Sequence, residues 1–486
     1  MDTIGSVNLT GRLATLACGV DWPSAPEDVK TRLLMAVRDS IACGIAGSVT
    51  SLARIHRSAN DIRGEGECTI IGTGQKAGVA AAAFHNATAI NALDFDDTAS
   101  VSGHPGAPVF AAAYAVAERE RSSGRELLSA ILTGYEVAAR VAVSCRPSPE
   151  QYAMVHGSQC FLGFGTVAAA GRLLKLDERQ MARAFGIVAA ITPIPVASKF
   201  GWDEGQLSWI KDNVNWPAEA GVRAAYLAAN DFPASETIFD GERGFWRMIA
   251  SDRFDGDALV DAETFYIRSL AFKPYPCCRW LHAAAEAFDL CLEQAGQPMA
   301  TEVERIKIET TKGVASTFGA KRPKTMIDAQ FSAPFTVGAL ANRIAKTDWW
   351  REETIRSQAI QNVMDAVDLV EDPAMTTSYF GSGRNVNRIP ARVTMRLSDG
   401  REFAATCLVP SGTAGRSATS ADDDDKMLST KHRLLYDPYL SSQQTDRLMH
   451  ALASLPVSQT LERLSAAIGG AVAKINEDIP VESRRG

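Results

Sequence analysis

From about residue 25 to 265, apolar positions recur at the three- and four-residue spacing of amphipathic helices. Residues 26–41 set Val29, Leu33, Ala36 and Ile41 on one face and charge on the other. The same texture predicts helices over 79–93, 108–118, 124–143, 160–174, 178–191 and 218–229. Pro108 fits a first helical position, where proline has no N–H to lose. After residue 300 the period changes from helical to alternating. Residues 302–310 place Ile306 and Ile308 on one side of a strand, and residues 392–409 read as a β-hairpin about Asp399-Gly400. Val393, Met395 and Leu397 alternate before that turn, and Phe403, Ala405 and Cys407 after it. Helical spacing resumes over 428–475, so the chain is expected to return to its first bundle. The fold class is therefore mainly α, with an α+β region over 268–410.

Composition narrows the function classes. A chain of 486 residues is too long for one ordinary core. Its net charge of −7 gives no general footprint for nucleic acid or anionic lipid, so an anionic ligand needs a local group of Lys and Arg. No signal peptide is recognised, and the longest apolar run, 79–93, is broken by His85, Asn86 and Asn91, so no membrane span is expected and the expected location is cytoplasmic. Nine cysteines without regular spacing and without a C-x-x-C pair suit reduced thiols. The glycines of 70–78 have the wrong spacing for a dinucleotide fingerprint and read as a turn before the next helix. The acidic run at 422–425 reads as a solvated loop.

Four stretches carry chemistry. The first is NALDFDDTASVSGHPGAPV, residues 91–109. If the helix from Val79 runs on through Asp97, then Asp94, Asp97 and Thr98 share a face and Asp96 turns away. Acids at a helix C-terminus oppose the macrodipole. Either basic partners neutralise them structurally, or a site needs a carboxylate of altered pKa beside a proton carrier, for which His104 in its Gly-Pro turn is placed. The second is His156, ahead of a glycine-rich helix, which fits a cap or packing residue as well as a catalyst. The third sets Lys211 between Trp209 and Trp216, either as a snorkelling surface residue or as an anion clamp. In the fourth, FKPYPCCRWLH at 272–282, prolines fix Lys273, while Arg279 and His282 open the next helix, a setting that suits a carboxylate ligand. Acids, imidazoles and cations without a nucleotide or metal motif form a kit for moving a proton next to a carboxylate.

In this order, LDFDDT with HPG, the His156 segment, Lys211 with PAEAG, KPYPCCRWLH and DAQFSAPF at 328–335 resemble the MmgE/PrpD family over nearly the whole chain. That family includes dehydratases, decarboxylases and epimerases of acidic substrates. The resemblance implies a large all-helical domain from 1–267 and 411–486, a smaller α+β lid from 268–410, a homodimer, and no cofactor or metal. It implies a small polycarboxylate substrate, with Asp94, Thr98, His104, His156, Lys211 and Lys273 in the site. His104 would carry the proton and the lysines would hold carboxylates, with Cys278, Arg279 and His282 beside the substrate. Cys278 stands where the pattern of cis-aconitate decarboxylase has a histidine. The activity implied is dehydration, or reversible hydration, of a hydroxy di- or tricarboxylate of the methylcitrate type; decarboxylation, epimerisation and non-catalytic binding are the alternatives.

Overall fold

The computed structural model describes residues 8–59, 66–100, 102–148, 151, 158–194, 213–381, 385–416 and 420–470. The protein is mainly α. Its helices begin with α1 (Leu9–Gly19), α2 (Glu27–Gly47), α3 (Ser51–Ala59), α4 (Val79–Asn91), α5 (Gly106–Arg119) and α6 (Gly124–Ser144). Further helices at Ser158–Leu173, Glu178–Ile191 and Asn215–Ala229 complete a bundle around α4–α6. The apolar stripe of α2 is fully buried at Val29, Leu33, Ala36 and Ile41. α6 is long and apolar enough to cross a bilayer, yet it is buried within the bundle. It starts at a capping box, where Ser123 accepts from the Glu126 amide and Glu126 answers to the Ser123 amide. It crosses the helix Ser158–Leu173 glycine on glycine: a Cβ on Gly165 would stand 2.6 Å from the Gly134 carbonyl oxygen.

A short hairpin, β1 (Cys68–Thr69) with β2 (Lys76–Ala77), turns at Gly72 and Gly74, both with positive φ. The larger sheet has the order β4-β3-β5-β6, formed by β3 (Val303–Thr310), β4 (Val367–Glu371), β5 (Ala391–Leu397) and β6 (Glu402–Cys407). β3 and β4 run parallel and need a crossover, which the helices between them supply. The expected hairpin is β5–β6, with Gly400 at φ +89° in its turn. Ile306 and Ile308 of β3 face the core with Val393 and Met395, and the helix His282–Gln294 packs across β5 and β6. Buried apolar residues form two clusters. One gathers residues 13–272 together with 428–468, and the other gathers 275–407.

Two elements begin elsewhere than expected. α5 starts at Gly106, so Pro108 is its third residue, still inside the turn where N–H groups lack helical partners. The acidic run at 422–425 is no loop: it lies in the opening turns of the helix Ser420–Tyr436, where carboxylates suit the macrodipole. Asp424 is buried against Arg32, whose guanidinium also donates to the Leu270 carbonyl, and Asp425 pairs with Arg38 at 2.8 Å. Breaking a buried pair strands its partner's charge. Asp424→Ala is therefore expected to lower stability by about 3–5 kcal/mol in chemical denaturation, while Asp422→Ala, exposed in the same run, changes it by under about 1 kcal/mol.

Candidate active site

The acidic stretch is set by the end of α4. That helix stops at Asn91, and the Asp94 amide turns back to the Asn91 carbonyl at 2.8 Å. Asp94 then takes a left-handed backbone, φ +47°, which ends any helical continuation. The expectation of a helix through Asp97 therefore fails, and with it the face-sharing of Asp94 and Asp97. Asp96 does not turn away. The Asn91 side-chain amide donates to Asp96 Oδ1 at 3.0 Å, and the remaining oxygen, Oδ2, lies 3.4 Å from His104 Nδ1. Asp94 Oδ1 lies 3.4 Å from His104 Nε2. Two carboxylates thus flank one imidazole.

Lys273 completes the cluster. Its ammonium donates to Asp94 Oδ1 at 2.6 Å and to the Asp94 carbonyl at 2.9 Å, and its side chain is fully buried. The chain reaches that point through an antiparallel bridge: the Thr98 amide donates to the Ala271 carbonyl at 2.8 Å, and the Ala271 amide to the Thr98 carbonyl at 2.9 Å. Thr98 thus has a backbone role in joining the two halves of the site. The Phe272 amide adds a bond to the Gly412 carbonyl. Burial alone would lower the Lys273 pKa, but the carboxylates of Asp94 and Asp96 outweigh it and the net direction is up. Lys273 is the charge partner of Asp94, so its ammonium is not an open clamp for a substrate carboxylate. Asp94, Asp96 and His104 offer three ligand atoms within 4.8 Å of one another, a spacing a cation could use. The cation beside Asp94 is the Lys273 ammonium.

His104 is the cluster's accessible member, with 12% of its side chain exposed against 4% for Asp94 and none for Asp96. Its Nδ1 lies 3.1 Å from the Asp97 carbonyl, an obligate acceptor, so Nδ1 carries a proton, while Nε2 faces the Asp94 carboxylate at 3.4 Å, a pairing that suits the doubly protonated ring. Burial pushes its pKa down, but Asp96 and then Asp94 push harder in the other direction against Lys273, and the net direction is up. Asp97 itself faces away from the imidazole. Its carboxylate accepts from Tyr135 Oη at 2.5 Å and from the Gly106 amide at 2.9 Å. Burial, reinforced by Asp96, raises its pKa to about 7.

The other expected residues separate. Cys278 is buried close enough to Lys273 to bear on its charge, and its amide donates to the Gln330 carbonyl at 2.8 Å. Arg279 and His282 do not present charge to a ligand, a correction to the carboxylate-binding expectation. Arg279 is buried, and its N–H groups go to the carbonyls of Phe272 (3.3 Å) and Ser411 (3.1 Å), to Thr413 and to His282 Nδ1. Desolvation lowers its pKa to about 10. His282 therefore accepts at Nδ1 and donates from Nε2 to the Cys277 carbonyl at 3.2 Å, a neutral ring. Burial, then Arg279, hold its pKa well below the ordinary value. His156 and Lys211 lie outside the described residues, as does Trp209. Trp216 is 43% exposed and meets Phe84 edge to face.

Several contributors escaped the sequence reading. Gln330, inside the DAQF stretch, donates to the Ala92 carbonyl at 2.9 Å and ties the second core to the acidic loop. Asn387 reaches the Thr98 carbonyl at 3.4 Å. Lys431 donates to the Phe95 carbonyl and pairs with Asp39 at 2.6 Å. Only Gln330 sat in a stretch with any signal.

Two measurements follow from these charges. Asp97 titrates near 7 in the fold and near its ordinary 3.8 when unfolded, so the folded state binds this proton more tightly. Its contribution is full below about pH 4 and declines as pH rises toward 7, by up to about 1.4 kcal/mol per pH unit. His104, also raised, adds a loss in the same direction as pH passes its folded pKa. Asp97→Asn is expected to flatten this slope in urea titrations at stepped pH. Lys273 lowers the His104 pKa, so Lys273→Met is expected to move the His104 NMR titration upward.

The MmgE/PrpD N-terminal domain matches residues 11–256, and the MmgE/PrpD C-terminal domain matches residues 275–455. The cis-aconitate decarboxylase-like protein oryM of Aspergillus oryzae is 23% identical, over 96% of this chain and 99% of that protein. Cis-aconitate decarboxylase of Aspergillus terreus is 26% identical, over 59% of this chain and 61% of its own length. The human cis-aconitate decarboxylase is 24% identical, over 58% and 59%. With both domains matched across most of its length, and with the acidic loop, His104 and Lys273 brought together, this chain belongs to the MmgE/PrpD family.

Proposed function

We propose that the protein is a lyase that moves a proton at a carbon next to a carboxylate of a di- or tricarboxylate substrate. The observation that carries this reading is the His104 imidazole, partly accessible and flanked by Asp94 and Asp96, with Lys273 balancing their charge. Two carboxylates favour the imidazolium, so His104 can donate a proton from Nε2 and afterwards serve as base. The Asp97 carbonyl holds the other ring nitrogen, so the exchange is confined to the Nε2 edge. Asp94 keeps that edge oriented, and Lys273 holds Asp94 in place.

Such a group serves both halves of a dehydration. As base it takes the proton next to the carboxylate; as acid it protonates the departing hydroxyl, so that water leaves and a carbon–carbon double bond forms. A hydroxy polycarboxylate of the methylcitrate type is the substrate class of this reading, and Lys211 keeps the carboxylate-binding role that the family resemblance implies. A second reading, loss of CO₂ from an unsaturated tricarboxylate, is favoured by the names of the relatives. There the same imidazolium protonates carbon as CO₂ leaves.

Incubation with 2-methylcitrate and with cis-aconitate in D₂O, followed by NMR, separates the readings. An alkene formed from 2-methylcitrate is the expected result, and CO₂ release from cis-aconitate establishes the second reading in its place. Deuterium exchange with neither product points instead to an epimerase, and no change in any polycarboxylate tried sinks the lyase proposal. His104→Gln is expected to lower kcat/KM by about 10³-fold, and a variant of unchanged rate removes His104 from the mechanism.

A further inference from the structure

We propose that Asp97, clamped between the Tyr135 hydroxyl and the first amide of α5, is the positioning residue that fixes the imidazole of His104; this rests on the reading of His104 as the proton carrier. The segment from Asp97 to Gly106 is closed at both ends by that single residue. Its carboxylate takes the Gly106 amide at 2.9 Å, and its carbonyl takes the His104 ring at 3.1 Å. Between them the Ala99 amide donates to the Gly103 carbonyl at 2.7 Å, narrowing the loop. The anchors are rigid: Gly106 opens the 14-residue α5, and Tyr135 lies fully packed within α6. A Cβ on Gly106 would stand 2.7 Å from each carboxylate oxygen, so the seat is built for this contact and excludes other residues.

Stability alone does not account for an aspartate there. A serine, threonine or asparagine would satisfy a helix N-terminus without burying a carboxyl. This one sits beside Asp96, with Asp39 also close enough to raise its pKa, and only Tyr135 and the Gly106 amide favour its ionised form. On the far side of the clamp, Asp94 and Asp96 face His104 and favour its charged form, while Lys273 opposes it. Asp97 is thus held in a costly place, and what it delivers is a main-chain acceptor at Nδ1. A misplacement of about 1 Å in a reacting group can cost on the order of 100-fold in rate.

The test reads the ring directly. In protein labelled with ¹⁵N-histidine, with His104 assigned from the spectrum of His104→Gln and the pH set above the His104 titration, the neutral ring of the wild type is expected to show the Nδ1–H tautomer. Asp97→Ala is expected to mix the tautomers and to lower kcat by about 30–100-fold with KM within about threefold. Asp97→Asn, which keeps an acceptor for the Gly106 amide, is expected to restore the tautomer and most of the rate. A folded Asp97→Ala variant with the wild-type tautomer and pH–rate profile overturns the proposal, as does an Asp97→Asn no better than Asp97→Ala. Should Asp97→Ala not fold, Tyr135→Phe replaces it: a shifted His104 tautomer ratio supports the clamp, and an unchanged one overturns it. The NMR readout needs no substrate, so it stands apart from success or failure of the lyase reading.

Discussion

The buried ion pair between Lys273 and Asp94 is the constraint that the rest of the site obeys. The two residues are 179 positions apart, and both charges are removed from water. Taking an ammonium and a carboxylate out of water costs several kcal/mol each unless geometry and added hydrogen bonds compensate. Compensation here comes from both sides of the pair. The Asp94 carbonyl takes a second Lys273 N–H, and the Thr98–Ala271 bridge holds the two strands of chain in register. Asp94 accepts a left-handed backbone to bring its carboxylate round, a strain that the surrounding bonds have to maintain. The pair therefore joins the first core to the start of the second, and the site is sited at that joint.

The last long helix returns to the bundle for a related reason. Ser420–Tyr436 carries Asp424 to Arg32 and Lys431 to Asp39, so it exchanges charges with α2 in both directions. Each exchange also grips the site: Arg32 holds the Leu270 carbonyl, three residues before Lys273, and Lys431 holds the Phe95 carbonyl, between Asp94 and Asp96. From the other core, Gln330 holds the Ala92 carbonyl. Three separate elements thus pin the main chain around two charged side chains. Rigid support of this kind is what the proposed proton transfer needs, because it tolerates little misplacement of the reacting group.

Helices, the β5–β6 hairpin and the β3 strand were legible in the sequence because periodicity is a local property, and Val29, Leu33, Ile306 and Val393 are buried as their spacing implies. Asp94, His104 and Lys273 stood out as unusual chemistry in short stretches, whereas Thr98 joins them through its backbone bridge to Ala271. Pairing was not legible. The run at 422–425 looked solvated because its partners, Arg32 and Arg38, lie 392 and 387 positions away. Arg279 and His282 looked like a ligand clamp because nothing local shows that the Ser411 carbonyl and Thr413 come to meet them. Tyr135 gave no signal at all, since an aromatic residue in an apolar helix resembles any other core residue.

The arrangement also limits where protons can pass. Lys273 is fully buried with its ammonium bonded to Asp94, and Asp97 is sealed between Tyr135 and Gly106. Asp96 is buried, with one oxygen held by Asn91 and the other beside the imidazole. His104 alone in this group combines side-chain exposure with a second ring nitrogen that its main-chain bond does not use. Charges that would repel one another in isolation are balanced inward, two carboxylates against an ammonium and an imidazole whose pKa they raise. The accessible member of the group is the His104 side chain, whose Nε2 lies 3.4 Å from Asp94 Oδ1. The proposed proton transfer depends on that one partly exposed side chain.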